Sequence, residues 1–399
     1  MKTFHILPRE IRGKVKYVLD EDELRPRVEE FWALFEQNAK KIKNTMLGRE
    51  NFNVVGFMDA AMSKIHPHLR YRIFYTSPVI NLGIHSNGKV WMNPLVYGVF
   101  NMCPQLHNWC YHYLSCPLHF DWCEYTAHAM TGGTLSDIKF NAKLDKYNLI
   151  NLTFIRKGYK KKPDEYDVLP EINIMLPYLV QEQFFLRWVK NVESTGEMPS
   201  VGPVYPVEKL SEVLNVLYQE AQSRMPTVPY HKMKKKPEWH VNKLVPVKDE
   251  PLIGRFDLHT VYTMIPDILF SYYDFVRFYS GRYSRFEELF CYLKVEKDDS
   301  VEVSNEKKER MLSELNQMLI ENDVGMITGT GSGVYHSYID FVLIDIVKGV
   351  RIIRRIVKKY KLPKRSWLLF LDAEKEGMWV NMYEDTPDPV MPDFEKIYR

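Results

Sequence analysis

The hydrophobic positions in the first part of the chain recur with helical spacing. A helix is predicted over 24–46, and a second over 52–65. The second helix is expected to end at His66-Pro67, because proline disfavours the helical conformation of the residue before it. The apolar residues of the first helix are Val28, Phe31, Trp32, Phe35, Ala39 and Ile42. The first two predicted helices are therefore amphipathic.

Alternation of apolar and polar positions predicts strands after these helices. Strands are expected at 69–75, 79–85, 109–116, 135–141 and 147–157. A helix is expected at 168–190, where Pro177 would kink or divide it. Prolines are frequent between 194 and 251, although 207–223 keeps helical spacing. We therefore predict an N-terminal α+β domain at 1–193 and a proline-rich connecting region with one helix at 194–251.

The pattern after residue 251 predicts a second α+β domain at 252–375. A strand is expected at 252–258 and a helix at 260–279. Strand, helix, strand, strand, helix and strand then follow over 286–371, the element order of a ferredoxin-like, or split βαβ, sheet. The tail at 376–399 contains three prolines and is expected to be irregular. The predicted fold class is α+β with two domains.

Composition narrows the classes of protein. Of 399 residues, 45% are hydrophobic and 26% are charged, which is ordinary for a globular protein. The formal net charge of +3 gives no general attraction to nucleic acid or to a membrane surface. No bilayer-spanning apolar run and no secretory signal are visible, so we expect a cytoplasmic protein with reduced cysteines, no membrane partner and no cofactor.

Several short segments carry a resemblance to known proteins. They are 31–38 (FWALFEQN), 65–69 (IHPHL), 103–109 (CPQLHNW), 329–333 (GTGSG) and 337–340 (SYID). With these, the chain resembles a group of uncharacterised bacterial proteins of two-domain α+β architecture. Its C-terminal half also resembles the ferredoxin-like fold of the ribonuclease E inhibitor protein B family, which are small regulators. The resemblance implies a fold and no catalytic residue.

A cluster of cysteines and histidines suggests metal chemistry. Four cysteines lie between residues 103 and 123, and three histidines are interleaved with them. Thiolate and imidazole are zinc ligands, but no closely spaced CxxC pair is present. Buried thiols, with Cys116 and Cys123 flanking a turn, are the favoured interpretation. The alternative is a metal-dependent hydrolase that uses Cys110, Cys116, His119 and Cys123.

The glycine-rich segment Gly329 to Gly333 could suggest a phosphate cradle. Such a cradle is followed by the N-terminus of a helix, whereas here the next predicted element is a strand. We therefore predict a flexible hairpin tip, with Gly331, Ser332 and His336 as candidate partner contacts. A His336–Asp340 pair could perform acid–base chemistry, but no nucleophile accompanies it.

The strongest charge feature is a basic run at 348–365. Nine basic residues and no acidic residue occur in these 18 positions. The helix predicted at 347–360 has an apolar stripe for packing, so the basic groups should occupy its outer face. A solvated surface, an acidic protein partner and nucleic acid all remain open as interpretations. The candidate partner-binding residues on it are Arg351, Arg354, Arg355, Lys358 and Lys359.

These observations favour a non-catalytic protein that binds or regulates another protein in the bacterial cytoplasm. An immunity or inhibitor protein would be one form of it, with an acidic protein as the partner. The metal-dependent hydrolase using 103–123 is one alternative. An RNA-linked regulator acting through 348–365 is the other, although nucleic acid is the less favoured partner.

Overall fold

A computed structural model describes residues 4–9, 11, 13–114, 118–160, 168–200, 202–246, 254–273, 276–297, 305–391 and 394. The helices are α1 (Glu21–Met46), α2 (Val54–Ile65), α3 (Asn93–Asn101), α4 (Phe120–Thr131), α5 (Pro170–Leu179), α6 (Glu182–Trp188), α7 (Leu210–Arg224), α8 (Pro266–Tyr273), α9 (Asn305–Glu321) and α10 (Ile346–Lys359). None of these helices is both long and apolar enough to cross a membrane.

The described strands number fifteen. They are β1 (Lys16–Tyr17), β2 (Arg70–Thr76), β3 (Val79–His85), β4 (Trp109–Tyr113), β5 (Lys139–Leu144), β6 (Ile150–Ile155), β7 (Val189–Thr195), β8 (Tyr205–Pro206), β9 (His240–Lys243), β10 (Leu258–Thr263), β11 (Leu289–Glu296), β12 (Gly325–Gly333), β13 (His336–Leu343), β14 (Ser366–Phe370) and β15 (Met378–Asn381). The α+β fold class is confirmed.

The chain forms two units. Unit 1 comprises Met1–Ile6 and Glu21–Arg224, and unit 2 comprises Leu7–Asp20 and Met225–Arg399. The connecting region predicted at 194–251 is therefore divided, because α7 belongs to unit 1 while β9 pairs with β10 in unit 2. A short N-terminal segment also joins unit 2, where β1 pairs with β15.

Unit 1 contains a three-stranded sheet, β2-β3-β4, and a four-stranded sheet, β7-β6-β5-β8. Helix α1 packs its aromatic residues on one face of the first sheet. The Trp32 and Tyr111 rings meet edge to face at 5.6 Å, and the Phe35 and Trp109 rings do so at 4.9 Å. The aromatic stripe of α1 is thus core. On the other face of this sheet, the Phe74 ring lies 6.0 Å from that of Trp122 in α4, and the Arg72 guanidinium lies 3.6 Å from the Tyr178 ring in α5.

Unit 2 is built on one antiparallel sheet in the order β1-β15-β14-β11-β13-β12-β10-β9. The predicted succession of strand, helix, strand, strand, helix and strand is present as β11-α9-β12-β13-α10-β14. Its four strands lie side by side in the order β14-β11-β13-β12, and further strands extend the sheet at both edges. Helices α9 and α10 cover one face, where Leu315, Ile353 and Val357 join the main apolar cluster.

Three predictions about elements are wrong. Residues 258–263 form strand β10 rather than part of a helix, since Thr260, Val261 and Tyr262 favour strand and the helix begins only at Pro266. The tail predicted to be irregular contributes β15 to the sheet. The predicted turn before Cys123 is replaced by α4, although Cys116 itself lies outside the described residues.

The helix predicted at 168–190 is divided into α5 and α6, with Val180 extended between them. Pro177 lies in the last turn of α5. A proline in that position removes a backbone donor, which is consistent with the break that follows.

Candidate functional site

Helix α10 is positioned by its cap and by its apolar face. Asp345 caps the N-terminus, and its carboxylate accepts a hydrogen bond from the Lys348 backbone N–H at 2.9 Å. Val350, Ile353, Ile356 and Val357 are buried against the sheet. The opposite side of the helix is therefore held toward solvent.

Two of the candidate basic residues are used within unit 2. The Arg354 guanidinium donates from Nε and Nη2 to the Asn381 carbonyl oxygen, at 3.0 and 2.7 Å. The Lys359 ammonium donates to both carboxylate oxygens of Glu314 on α9, at 2.6 and 2.7 Å. These two side chains fasten α10 to β15 and to α9 along its two flanks.

The exposed centre of α10 carries the remaining cations. Lys348, Arg351, Arg355 and Lys358 follow one another at steps of three, four and three residues, and all four are exposed. We call these four residues the basic stripe. Lys348 lies 3.4 Å from Asp345, whereas no ion pair within the described residues involves Arg351, Arg355 or Lys358. Like charges at these spacings destabilise a helix by a few tenths of a kcal/mol per pair.

The glycine-rich segment has a different place from the one predicted. Residues 329–333 are the end of strand β12, and the turn of the hairpin lies at Val334 and Tyr335. Gly331 pairs with Tyr338 and is buried, and His336 is only 1% exposed. Neither residue is available for contact with a partner. Ser332 is half-buried and accepts a hydrogen bond from the Lys297 ammonium at 3.1 Å.

A buried polar network occupies the sheet face opposite the helices. Its members are Arg255, Asp257, Lys294, His336, Tyr338 and Asp340. His336, Tyr338 and Asp340 alternate along β13 and therefore point to the same face. The predicted His336–Asp340 pair does not form a contact, because each residue has another partner.

Asp257 is the hub of one half of this buried polar network. Its Oδ2 accepts the backbone N–H groups of Tyr335 at 2.9 Å and His336 at 3.0 Å. Its Oδ1 accepts the Tyr338 hydroxyl. Burial acts to raise the pKa of Asp257, but these hydrogen bonds, together with the His336 imidazole, outweigh it and lower the pKa to about 2. The carboxylate is therefore ionised under all ordinary conditions.

Arg255 and Asp340 form the other half. Arg255 Nη1 lies 2.8 Å from Asp340 Oδ1, and the Arg255 guanidinium lies 5.0 and 5.2 Å from the ring centroids of Tyr292 and Tyr338. Beside the pair is a cavity of about 20 Å³, also lined by Thr263 and Thr328. Such a volume holds one water molecule and is far below that of a small-molecule site.

Alternate glycines of β12 make space for these carboxylates. A Cβ at Gly329 would lie 2.7 Å from Asp340 Oδ2, and a Cβ at Gly333 would lie 2.3 Å from Asp257 Oδ2. Real Cβ atoms do not approach other atoms so closely. The glycines are therefore explained by packing around buried charge rather than by phosphate binding or by a mobile tip.

The residues of the alternative metal site are not brought together among the described positions. Cys110 is exposed on β4, while Cys123 is buried in α4 and burial raises its pKa to about 11. The exposed His119 side chain lies 3.3 Å from Asp121, and Cys116 lies outside the described residues. Within the described part of the chain, no group of three or more His, Cys, Asp and Glu could hold a metal ion.

Sequence reasoning missed most of the buried polar network. Arg255 and Asp257 lie in the strand predicted at 252–258, and Lys294 lies in the first strand predicted within 286–371. The local pattern does not mark any of the three as a buried charge. The sequence does contain one signal for this network. Glycines alternate at 329, 331 and 333 in one strand of the hairpin, and the polar residues His336, Tyr338 and Asp340 alternate in the other strand. No protein-family model, curated protein or solved structure matches this chain, so the resemblance to bacterial regulators stays a prediction.

Proposed function

We propose that this chain is a non-catalytic binding protein that docks an acidic segment of another protein on the basic stripe of α10. The observation that carries the proposal is the exposure of Arg351, Arg355 and Lys358 on one line of helix α10, without an ion pair among the described residues. An inhibitor or immunity role would be one form of this activity.

The dimensions and charge of the stripe favour a short acidic partner. From Lys348 to Lys358 the helix rises about 15 Å, which is the length of about ten helical residues. Complementary charge on such a segment would increase the association rate and select against basic competitors. Carboxylates of a bound acidic segment would also offset the repulsion between like charges along α10.

The surroundings of the stripe favour protein over nucleic acid. Acidic groups border it, since Asp345 lies at the start of α10, Glu314 lies beside Lys359, and Asp385 pairs with Lys364 beyond the end. A phosphate backbone that continues past both ends of the stripe would approach these carboxylates, whereas an acidic segment of about ten residues need not extend beyond the stripe. Tyr360, the C-cap residue of α10, donates its hydroxyl to Glu314 rather than offering a base-stacking surface.

Fluorescence anisotropy with three labelled probes tests the proposal. The probes are a short helical peptide with Glu at three- and four-residue spacing, the same peptide with Gln in place of Glu, and a short RNA duplex. We expect the Glu peptide alone to bind at low salt and to weaken as salt is added. Arg351→Glu/Arg355→Glu should reduce its affinity at least about tenfold, as expected from the loss of several charge pairs.

Lys234→Glu/Lys235→Glu is the matched control, because both lysines are exposed in unit 2 and the change in net charge is the same. This control should retain the affinity of the native chain. Binding of the RNA but not of the Glu peptide would establish the nucleic-acid alternative instead. Equal loss of peptide binding in both variants would show a nonspecific charge effect and refute the proposal.

A further inference from the structure

Strand β9 forms an open edge of the large sheet in unit 2. It is the last strand in the sheet order, and within the described part of the chain only β10 pairs with it. The Leu244 backbone N–H donates to the His259 carbonyl oxygen at 3.0 Å. Because bonding residues alternate in an antiparallel pair, Asn242 also bonds to β10. The backbone N–H and C=O groups of Val241 and Lys243 therefore point away from the sheet.

An exposed apolar surface borders this edge. Val241 is 57% exposed and lies directly opposite Tyr262 of β10, which is 48% exposed. Tyr262 pairs with Thr330, and Thr330 pairs with Ile339 of the apolar cluster that α9 and α10 cover. Trp239, which is 51% exposed, comes just before β9 and falls on the same side as Val241 by alternation. On this face of the sheet, the helices thus leave the apolar residues of β9 and β10 uncovered.

Two prolines limit what can pair with β9. Pro237 and Pro246 lie on either side of it. Proline has no backbone N–H, so it cannot continue a ladder of hydrogen bonds to an added strand. The length available for pairing is therefore confined to residues 238–245, and a partner strand of equal length fits it.

The segment 238–245 is complementary to a second copy of itself in the antiparallel direction. With Val241 opposite Val241 of the second copy, the apolar row of Tyr262 and Val241 continues across the edge into the same row of that copy. This register also places the Lys243 ammonium opposite the Trp239 ring, a favourable cation–π contact. The two Lys243 residues are then four positions, about 13 Å, apart along the strands. No like charges lie opposite each other in this arrangement.

We propose that β9 is a homodimerisation strand, along which two copies of this chain pair antiparallel about a twofold axis at Val241. The outward N–H and C=O groups of Val241 and Lys243 bond to those of Val241 and Trp239 in the second copy. The two sheets become one continuous sheet, and because the contact is isologous, association through β9 stops at two copies. A seam of so few residues is smaller than a standard interface, so the dimer is weak and forms reversibly with concentration.

Sedimentation velocity of the full native chain tests the dimer. Between about 1 and 100 µM, the average mass should rise from that of one chain toward twice that value. Val241→Lys and Val241→Glu each place like charges opposite each other on the axis, and each should raise the dissociation constant at least about tenfold. An equimolar mixture of the two variants should dimerise again, because position 241 of one copy faces position 241 of the other.

Val55→Lys and Val55→Glu are the matched controls, because Val55 is 64% exposed on α2 in unit 1. Both should dimerise as the native chain does. Circular dichroism of every variant should match that of the native chain. A native chain that stays monomeric over the whole range would overturn the proposal. So would Val241 variants that dimerise like the native chain, or a mixture of folded variants that stays monomeric.

Hydrogen exchange provides a second test that needs no substitution. In a single chain the amides of Val241 and Lys243 face solvent, whereas that of Asn242 bonds to β10. Measured residue by residue by NMR, protection of the first two should rise at least about tenfold with concentration, in parallel with the dimer fraction. The Asn242 amide should be protected at every concentration. A native dimer in which exchange of Val241 and Lys243 does not change would place the interface elsewhere and refute the role of β9.

Discussion

Unit 2 uses charge in opposite ways on the two sides of one sheet. On one side, Arg255, Asp257 and Asp340 are buried and every one has an ionic or hydrogen-bonding partner. On the helix side, Arg351, Arg355 and Lys358 of the basic stripe are exposed without an ion pair among the described residues. Buried charge requires partners because desolvation is costly, whereas exposed charge is free to meet another molecule. The first group should therefore govern stability and the second should govern binding.

The largest expected effect is on the buried ion pair. Arg255→Met would leave the Asp340 carboxylate buried without its cation, and should lower the free energy of unfolding by about 3–5 kcal/mol. Urea unfolding of the variant and of the native chain, followed by tryptophan fluorescence, measures it. The double variant Arg255→Met/Asp340→Leu should recover most of the loss, since it leaves no unpaired charge. A loss under about 1 kcal/mol in the single variant would mean that the pair is not effectively buried.

The next largest expected effect is a pH dependence of folding stability that arises from Lys294. Burial lowers the pKa of this ammonium group from 10.5 to about 8, and the side chain is only 2% exposed. The unfolded chain therefore binds more protons than the folded chain between these two pKa values, so stability rises with pH across that range. Between pH 8 and about 10.5, the free energy of unfolding of the native chain should rise by about 3 kcal/mol relative to that of Lys294→Met. An unchanged difference between the two proteins across this range would contradict burial of the ammonium.

A smaller effect should follow from filling the space beside Asp257. Gly333→Ala places a methyl group against the Asp257 carboxylate, and should lower the free energy of unfolding by about 1–3 kcal/mol. Gly281→Ala is the matched control in the same unit, because a Cβ there meets no atom within 4 Å. Thermal unfolding of the two variants compares them. Equal melting temperatures would show that the glycine is not required for packing.

The sequence could predict the elements whose signal is local. Helix α10 follows from Val350, Ile353 and Val357 at helical spacing, and its cap follows from Asp345. The role of Gly333 could not be predicted from its neighbours in the sequence. The space that a side chain at position 333 would need is occupied by the carboxylate of Asp257, which is far away along the chain. Closely spaced glycines are more typical of turns than of strands, so the local pattern favours a hairpin tip.

The same limit applies to the basic stripe. Sequence pattern placed five candidate cations on the outer side of α10 but could not separate Arg354 and Lys359 from the rest. Their partners, Asn381 and Glu314, are brought to the flanks of the helix only by the sheet and by α9. Tertiary contacts thus reduced a broad basic surface to a narrow line of exposed groups.

The central claim is tested most directly by measuring stability and binding in Arg351→Glu/Arg355→Glu. The account predicts a change of no more than about 0.5 kcal/mol in the free energy of unfolding, together with at least a tenfold loss of affinity for the Glu peptide. A loss of stability comparable to that of Arg255→Met, or retention of the native affinity, would contradict the assignment of the basic stripe to binding.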